Sequence, residues 1–349
     1  MNTQAAAASI TAQLSDGRQT TIQLDGRAQK SQFVHELFPG IGTSFVGSMS
    51  LTSNVPIAVL ALRGTFNQSN DFIMATVPVF SGSTSTEPAV VPQIADGSGY
   101  VTELILLNPA ATPITGTVEF SASVATDRGT NTTFPYVIPP SGTWTLTTTG
   151  TRQFASITPA AGNVAPVATA IFKQFTGSNL NFEAGVPAVR AFTRAVMFGT
   201  RDATHRTALA IVNPGTRTAS VQLTALRSDG TTVAQKTISL ASSGRSAAFL
   251  DELIPELPAS FDGTALVEST TPVYAITLRT LVNTSGTFLV TTMPLVDLNQ
   301  PSPSGTSYFP QLADGVNYTT EFLLLNATAA SARLQFFNTA GQPLPVSVR

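Results

Sequence analysis

An all-β chain of tandem two-sheet modules is the fold class this sequence predicts. Three observations carry the prediction: a long internal repeat, apolar residues alternating at period two, and turn dipeptides spaced for hairpins. The repeat comes first because a fixed internal period defines an array of similar units. Residues 91–108 read VPQIADGSGYVTELILLN and residues 309–326 read FPQLADGVNYTTEFLLLN, an offset of 218 from Gln93 to Gln311.

Finer landmarks halve that period. Pro56, Pro166 and Pro272 open the runs VPIAVLALR, APVATAIFK and TPVYAITLR, and seven residues after each stands a base: Arg63, Lys173 and Arg279. Pro78, Pro187 and Pro294 form a second trio, and Asn108, Asn213 and Asn326 close LILLN, LAIVN and FLLLN. These spacings give modules of 105 to 113 residues. The modules alternate in kind. FVHELFP at 33–39 returns as FLDELIP at 249–255, while the Pro-Gln/Ala-Asp-Gly opening occurs only at 92 and 310.

The predicted organisation is a partial module over 1–80, a linker at 81–90, complete modules over 91–190 and 191–296, a linker at 297–307, and a partial module over 308–349. Both linkers are rich in Ser, Pro and Gly and carry no apolar periodicity, as spacers do. No such stretch separates the two complete modules, where the chain reads VPAVRAFTRAV.

Within a module, Val118, Phe120 and Ala122 alternate with Glu119 and Ser121, and Val221, Leu223 and Ala225 alternate with Gln222 and Thr224. Strands with one buried and one wet face have this pattern. Asp16-Gly17, Asp96-Gly97 and Asp229-Gly230 mark hairpin turns. Helix is limited to a turn or two at 249–257, stopped near Pro255. Seven or so short strands in such a length predict an immunoglobulin-like β-sandwich, with a small barrel as the competing architecture.

Composition narrows the function classes. Only 11% of residues are charged and the net charge is −2, so the chain has no basic footprint for nucleic acid. Cysteine is absent, which removes disulfides, thiolate metal ligands and a thiol nucleophile together. The start, MNTQAAAASI, has neither a basic nor a long apolar region, so it is not a signal peptide. No apolar run is long enough for a membrane helix. At 42% hydrophobic residues the chain can fill real cores, unlike a disordered stalk.

With these motifs, together with EAGVPA at 183–188 and LRGTFNQSNDFIMATVP at 62–78, the chain resembles alternating all-β repeats of large secreted or cell-surface bacterial proteins. The resemblance implies an array architecture and a secreted or cell-surface location, with any export signal outside the sequence given. It carries no catalytic residues with it.

The residues themselves point the same way. His35 and His205 are the only histidines, and the equivalent of His35 in the other copy is Asp251, which suits a surface position better than a ligand. Asp96/Glu103 and Asp314/Glu321 invite a hard cation, but the spacing along a turn and strand spreads the carboxylates. Arg63, Lys173 and Arg279 read as ion-paired or solvated strand residues, and Trp144 as core. Asn-x-Ser/Thr sequons are expected by chance in so Thr-rich a chain. No cofactor, metal or catalytic residue is expected, and no enzyme.

Two functions remain: an extracellular structural repeat, acting as spacer or fibre subunit, and an adhesin or glycan-binding repeat using loops at one sandwich end. The partial modules add one expectation. Ile10, Ala12 and Leu14 near one end, and Leu334, Phe336, Val346 and Val348 near the other, are candidate inter-subunit strands that would join chains head to tail into a homopolymer. The competing reading is that the chain is a piece of a longer array.

Overall fold

The alternating runs become antiparallel strands. A computed structural model describes residues 1–349 apart from 43, 83, 123–131, 149, 151, 285, 302–304, 314, 316–317, 326–330 and 346–349. The first 80 residues hold β1 (Ala8–Leu14), β2 (Gln19–Leu24), the one-turn helix α1 (Val34–Leu37), β3 (Met49–Ser53), β4 (Ala61–Phe66) and β5 (Phe72–Val77). They form a three-stranded sheet, β2-β1-β3, and a separate β4-β5 pair.

The next unit contains β6 (Ala89–Val91), β7 (Tyr100–Leu107), β8 (Ile114–Ala122), β9 (Thr133–Ile138), β10 (Thr143–Thr147), β11 (Arg152–Pro159), β12 (Val167–Thr176) and β13 (Asn179–Pro187). Its sheets run β6-β11-β8-β9 and β10-β7-β12-β13. They face each other across one core, to which Val118, Phe120 and Ile157 come from the first sheet and Leu104, Leu106 and Phe172 from the second.

The third unit holds β14 (Phe192–Arg201), β15 (His205–Asn213), β16 (Ala219–Arg227), β17 (Thr232–Leu240), β18 (Gly244–Phe249), α2 (Leu250–Leu253), β19 (Phe261–Val282), β20 (Phe288–Met293) and β21 (Val296–Asp297). The 22-residue β19 ties the strands of this unit into one continuous sheet. Its first half lies between β14 and β16, and its second between β15 and β20. Counting β19 twice, both complete units have eight main strands in the same pairing order, one more than the sequence suggested.

The N-terminal unit is the latter part of this plan. Ala8 pairs with Leu24 and Ile10 with Ile22, as Ala219 pairs with Leu240 and Val221 with Ile238. The Ser9 amide donates to Asn54 Oδ1 at 2.8 Å, and the Ser220 amide donates to Thr270 Oγ1 at 3.0 Å. So β2-β1-β3 matches β17-β16 and the first half of β19, and β4-β5 matches the second half of β19 with β20.

The units lock together. Ala210 and Ile276, on the outer face of the third unit's sheet, are buried in the second unit's core cluster, with Leu278 and Val290 packed beside them. The joint at 188–191 is pinned where Val90 and Val189 exchange backbone hydrogen bonds of 3.2 and 2.8 Å. Thr76, Gly185 and Thr292 occupy equivalent places on β5, β13 and β20. Thr292 Oγ1 donates to the Gly185 carbonyl at 2.8 Å, and a Cβ on Gly185 would lie 2.2 Å from the Thr76 carbonyl oxygen. The equivalent Pro78, Pro187 and Pro294 all line one cavity of about 740 Å³. Matching strands of three units thus meet around one cavity, with β5 and β20 each packed on β13.

Both spacers are shorter than the sequence suggested. Ala89 and Val90 belong to β6, while Val296 and Asp297 pair with Val196 and Ala195. We expect limited proteolysis to cut first near 81–88 and 298–307. Early cleavage between 187 and 195 would contradict the pinned joint.

The C-terminal copy departs from its twin. Among the described residues, 308–345 hold no named strand, only the isolated bridges Gly315↔Tyr318 and Phe337↔Pro343. One local contact is nonetheless reproduced. Thr320 Oγ1 accepts from the Ala313 amide (3.2 Å) and donates to the Ala313 carbonyl (2.7 Å), as Thr102 does with Ala95 at 3.1 and 2.6 Å.

Candidate functional site: the open groove of the N-terminal unit

The repeated polar residues hold turns and junctions together. Asn213 is buried, and its Nδ2 donates to the carbonyls of Arg217, Leu240 and Ala241 at 2.7, 3.1 and 3.0 Å while Oδ1 accepts from the Gly215 amide at 3.1 Å. Asn108 makes the same four bonds, to Thr112, Ile138, Pro139 and Ala110. Asn326 lies outside the described residues. In the Asp/His-Glu-Leu turns the glutamate closes the helix start, with Glu36 accepting from the Phe33 amide (2.6 Å) and Glu252 from the Phe249 amide (3.1 Å).

Asp251 receives Arg206, whose Nη2 lies 2.8 Å from Oδ2 and whose guanidinium sits 3.6 Å from the Phe249 ring centroid. His35 replaces Asp251 in the N-terminal unit, is exposed, and stacks on Phe33 at 5.6 Å. His205 approaches Asp202 at 3.0 Å and Thr204 Oγ1 at 3.0 Å on a tight turn whose backbone amides also bind Asp202. That arrangement is an Asx-type turn.

The tempting carboxylates are on different business. Asp96 sits in the cleft between the second and third units, and burial there raises its pKa against opposing bonds from Arg152 and Thr148. Glu103 projects from β7, 3.2 Å from Lys173 and 3.3 Å from Arg63 of the N-terminal unit. Glu321 repeats the second contact with Arg279, also at 3.3 Å. Asp314, its expected companion, lies outside the described residues. No cluster of three potential metal-ligating side chains occurs among the described residues. Trp144 is half-buried against the second unit's core.

Burial pushes Glu103 up, but Lys173 and Arg63 outweigh it and hold the carboxyl below its usual pKa. A depressed pKa contributes stability above the ordinary carboxylate range, lost as pH falls through the lowered value. Acidification should therefore loosen the β4–β5 contact before the cores melt, read as faster amide exchange in β4 and β5. Glu103→Gln should remove that pH dependence, and an unchanged profile in the variant would refute the assignment.

The most unusual surface is an apolar groove of about 470 Å³ between β1–β3 and β4–β5, lined by Ile10, Ile22, Leu51, Leu60, Leu62 and Met74 among others. In the third unit the corresponding space holds β15, which pairs with β18 on one edge and β19 on the other. Here β4 pairs with β5 alone among the described strands, so its other edge is open. Leu60 beside it is 44% exposed, whereas its counterpart Ile276 is covered by the second unit's core and is 2% exposed.

Of the strands expected to reach another subunit, β1 offers no edge, because β2 and β3 occupy both sides. Ile10, Ala12 and Leu14 are accordingly buried. Ile10 lies on the groove floor, and the available edge belongs to β4 instead. Leu334 is exposed, and Phe336 packs on Phe322 at 5.7 Å. Val346 and Val348 lie outside the described residues.

No family model matches the chain, and neither a curated protein nor a solved structure shows significant similarity to it. The class of protein that fold and site define is a nearly all-β chain of several antiparallel sheets.

Proposed function

We propose that this chain is an extracellular structural repeat protein, built of tandem immunoglobulin-like sandwiches and serving as a spacer or fibre subunit rather than an enzyme. The observation that carries the reading is the interlocking of successive units, in which Ala210 and Ile276 of one complete the core of its neighbour. Joints made this way transmit load without a flexible hinge. The polar residues most often recruited for chemistry support it, since Asn108, Asn213, Glu252, Asp251 and Glu103 are all engaged in turns, caps and unit contacts.

The second reading, an adhesin or glycan-binding repeat, draws on the cleft between the second and third units. That cleft has a volume of about 460 Å³ and brings Gln93, Asp96, Tyr100 and Arg245 together. Burial lowers Arg245 to about 10, and its guanidinium donates to Gln93.

Immunogold labelling of intact producing cells tests the location, and a glycan array probed with the purified chain separates the two roles. Surface label without glycan binding is expected. Label confined to the cell interior would overturn the first reading, and saturable binding lost on Arg245→Ala would favour the second.

A further inference from the structure

We propose that the open groove of the N-terminal unit is filled by this chain's own residues 318–325, which supply the strand beside β4 within one chain. The inference concerns how the groove is filled and is independent of what the chain is for.

Three copies of one strand motif supply the starting point. Residues 102–107 (TELILL), 207–212 (TALAIV) and 320–325 (TEFLLL) align on the asparagines that follow them. In the first two copies Leu104, Leu106, Leu209 and Ile211 are fully buried, yet Leu324, equivalent to Leu106 and Ile211, is 56% exposed. Among the described residues, one apolar segment thus pairs with no strand and one sheet edge, that of β4, has no strand beside it. An apolar strand beside an open sheet edge is driven to pair by both main-chain hydrogen bonds and burial.

The choice of the chain's own segment rests on where that segment already lies. Pro310 and Gln311 line the groove. Gln311 Oε1 accepts from Gln29 Nε2 (3.1 Å) and Ser31 Oγ (3.0 Å). The Gln29 amide donates to the Thr339 carbonyl at 2.9 Å, and Arg27 sits over the Phe337 ring at 5.6 Å.

The Glu321–Arg279 pair fits as well. It repeats Glu103–Arg63, the contact by which one unit's second strand meets the preceding unit. With Glu321 already in that relation to the third unit, its segment stands where the next unit belongs. The N-terminal strands β4 and β5 occupy that same sector, since β5 packs on β13 just as β20 does.

Register follows from the third unit. There Thr207 pairs with Arg279, Ala208 with Leu278 and Leu209 with Thr277. Carried across, Thr320 faces Arg63, Glu321 faces Leu62 and Phe322 faces Ala61. The charges agree with this fit. In the third unit β15 brings Arg206 to Asp251. The position equivalent to Arg206 in the incoming strand is Thr319, and the position equivalent to Asp251 is His35, so that pair is lost at both partners together. Glu36, equivalent to Arg206's second partner Glu252, is exposed and keeps its bond to the Phe33 amide.

The hairpin at 336–344 repeats what β1 and β2 already supply. Its bonds, Asn338 amide to Gln342 carbonyl and Gly341 amide to Asn338 carbonyl, match those at Arg227–Thr231. It is redundant to the N-terminal unit and remains outside, with Gly341 against Gly26.

A chain without cysteine makes the test direct. Ala61→Cys with Phe322→Cys, oxidised over a wide range of protein concentration, should give a disulfide within one chain, migrating as monomer, with both thiols protected. Ala61→Cys with Leu323→Cys, out of register, should react markedly less. Deleting 331–349 should leave the in-register crosslink intact. A concentration-dependent ladder of crosslinked oligomers would overturn the proposal in favour of head-to-tail filling by a second copy. Free thiols in the in-register pair, in protein whose circular dichroism matches the parent, would overturn strand filling by this segment altogether.

Discussion

Replacing Asn213 by leucine is expected to be the most damaging single change in the chain. Leucine shares asparagine's branched four-atom side chain, but it removes the donor shared by the Arg217, Leu240 and Ala241 carbonyls and the acceptor for the Gly215 amide. Buried polar groups left without partners cost about 1–3 kcal/mol each, so a loss of roughly 3 kcal/mol or more is expected against a typical domain stability of about 5–15 kcal/mol. Asn108→Leu should act alike in the second unit. Urea titration followed by Trp144 fluorescence reports the second unit, and amide exchange in β15–β18 reports the third. A midpoint unmoved in both variants would refute the structural role given to the motif.

The second large effect is expected from Gly185→Ala. Its added methyl carbon would lie 2.2 Å from the Thr76 carbonyl oxygen, a backbone atom that cannot swing aside. Forcing β5 and β13 apart costs about 1–3 kcal/mol as an overpacked contact, and the damage should fall where β5 and β20 pack on β13, not on the unit cores. Exchange protection should drop in β5, β13 and β20 while β8 and β16 keep theirs. Gly82→Ala is the control, because a Cβ there meets nothing within 4 Å and its φ is not positive. Equal effects of the two substitutions would show that the three strands do not depend on close approach at Gly185.

Much of this fold was legible in the sequence. Alternation at Val118–Ala122 and Val221–Ala225 placed β8 and β16, because a half-buried strand must present one face to the core. The turn at 249–257 was legible too, since glutamate three residues after Phe249 closes a helix start that Pro255 keeps from extending. Unit length and alternation came from the repeat. Ile10, Ala12 and Leu14 were candidates for an inter-subunit strand, but hairpin pairing to β2 and long-range pairing to β3 occupy both edges of β1.

The groove was not legible, for a reason the two Ala-Asp-Gly copies make plain. Thr102 bonds Ala95 and Thr320 bonds Ala313 in the same way, because those contacts span seven residues and need nothing else. Residues 100–107 then become a strand between β10 and β12, while 318–325, almost the same sequence, do not. A strand's hydrogen bonds go to other strands, so its formation is decided by what packs beside it. The sequence by itself determined the turns, caps, unit length and apolar faces of this protein. Only the tertiary structure decided which strands find partners, where an edge stays open, and that equivalent strands from three units meet around one cavity.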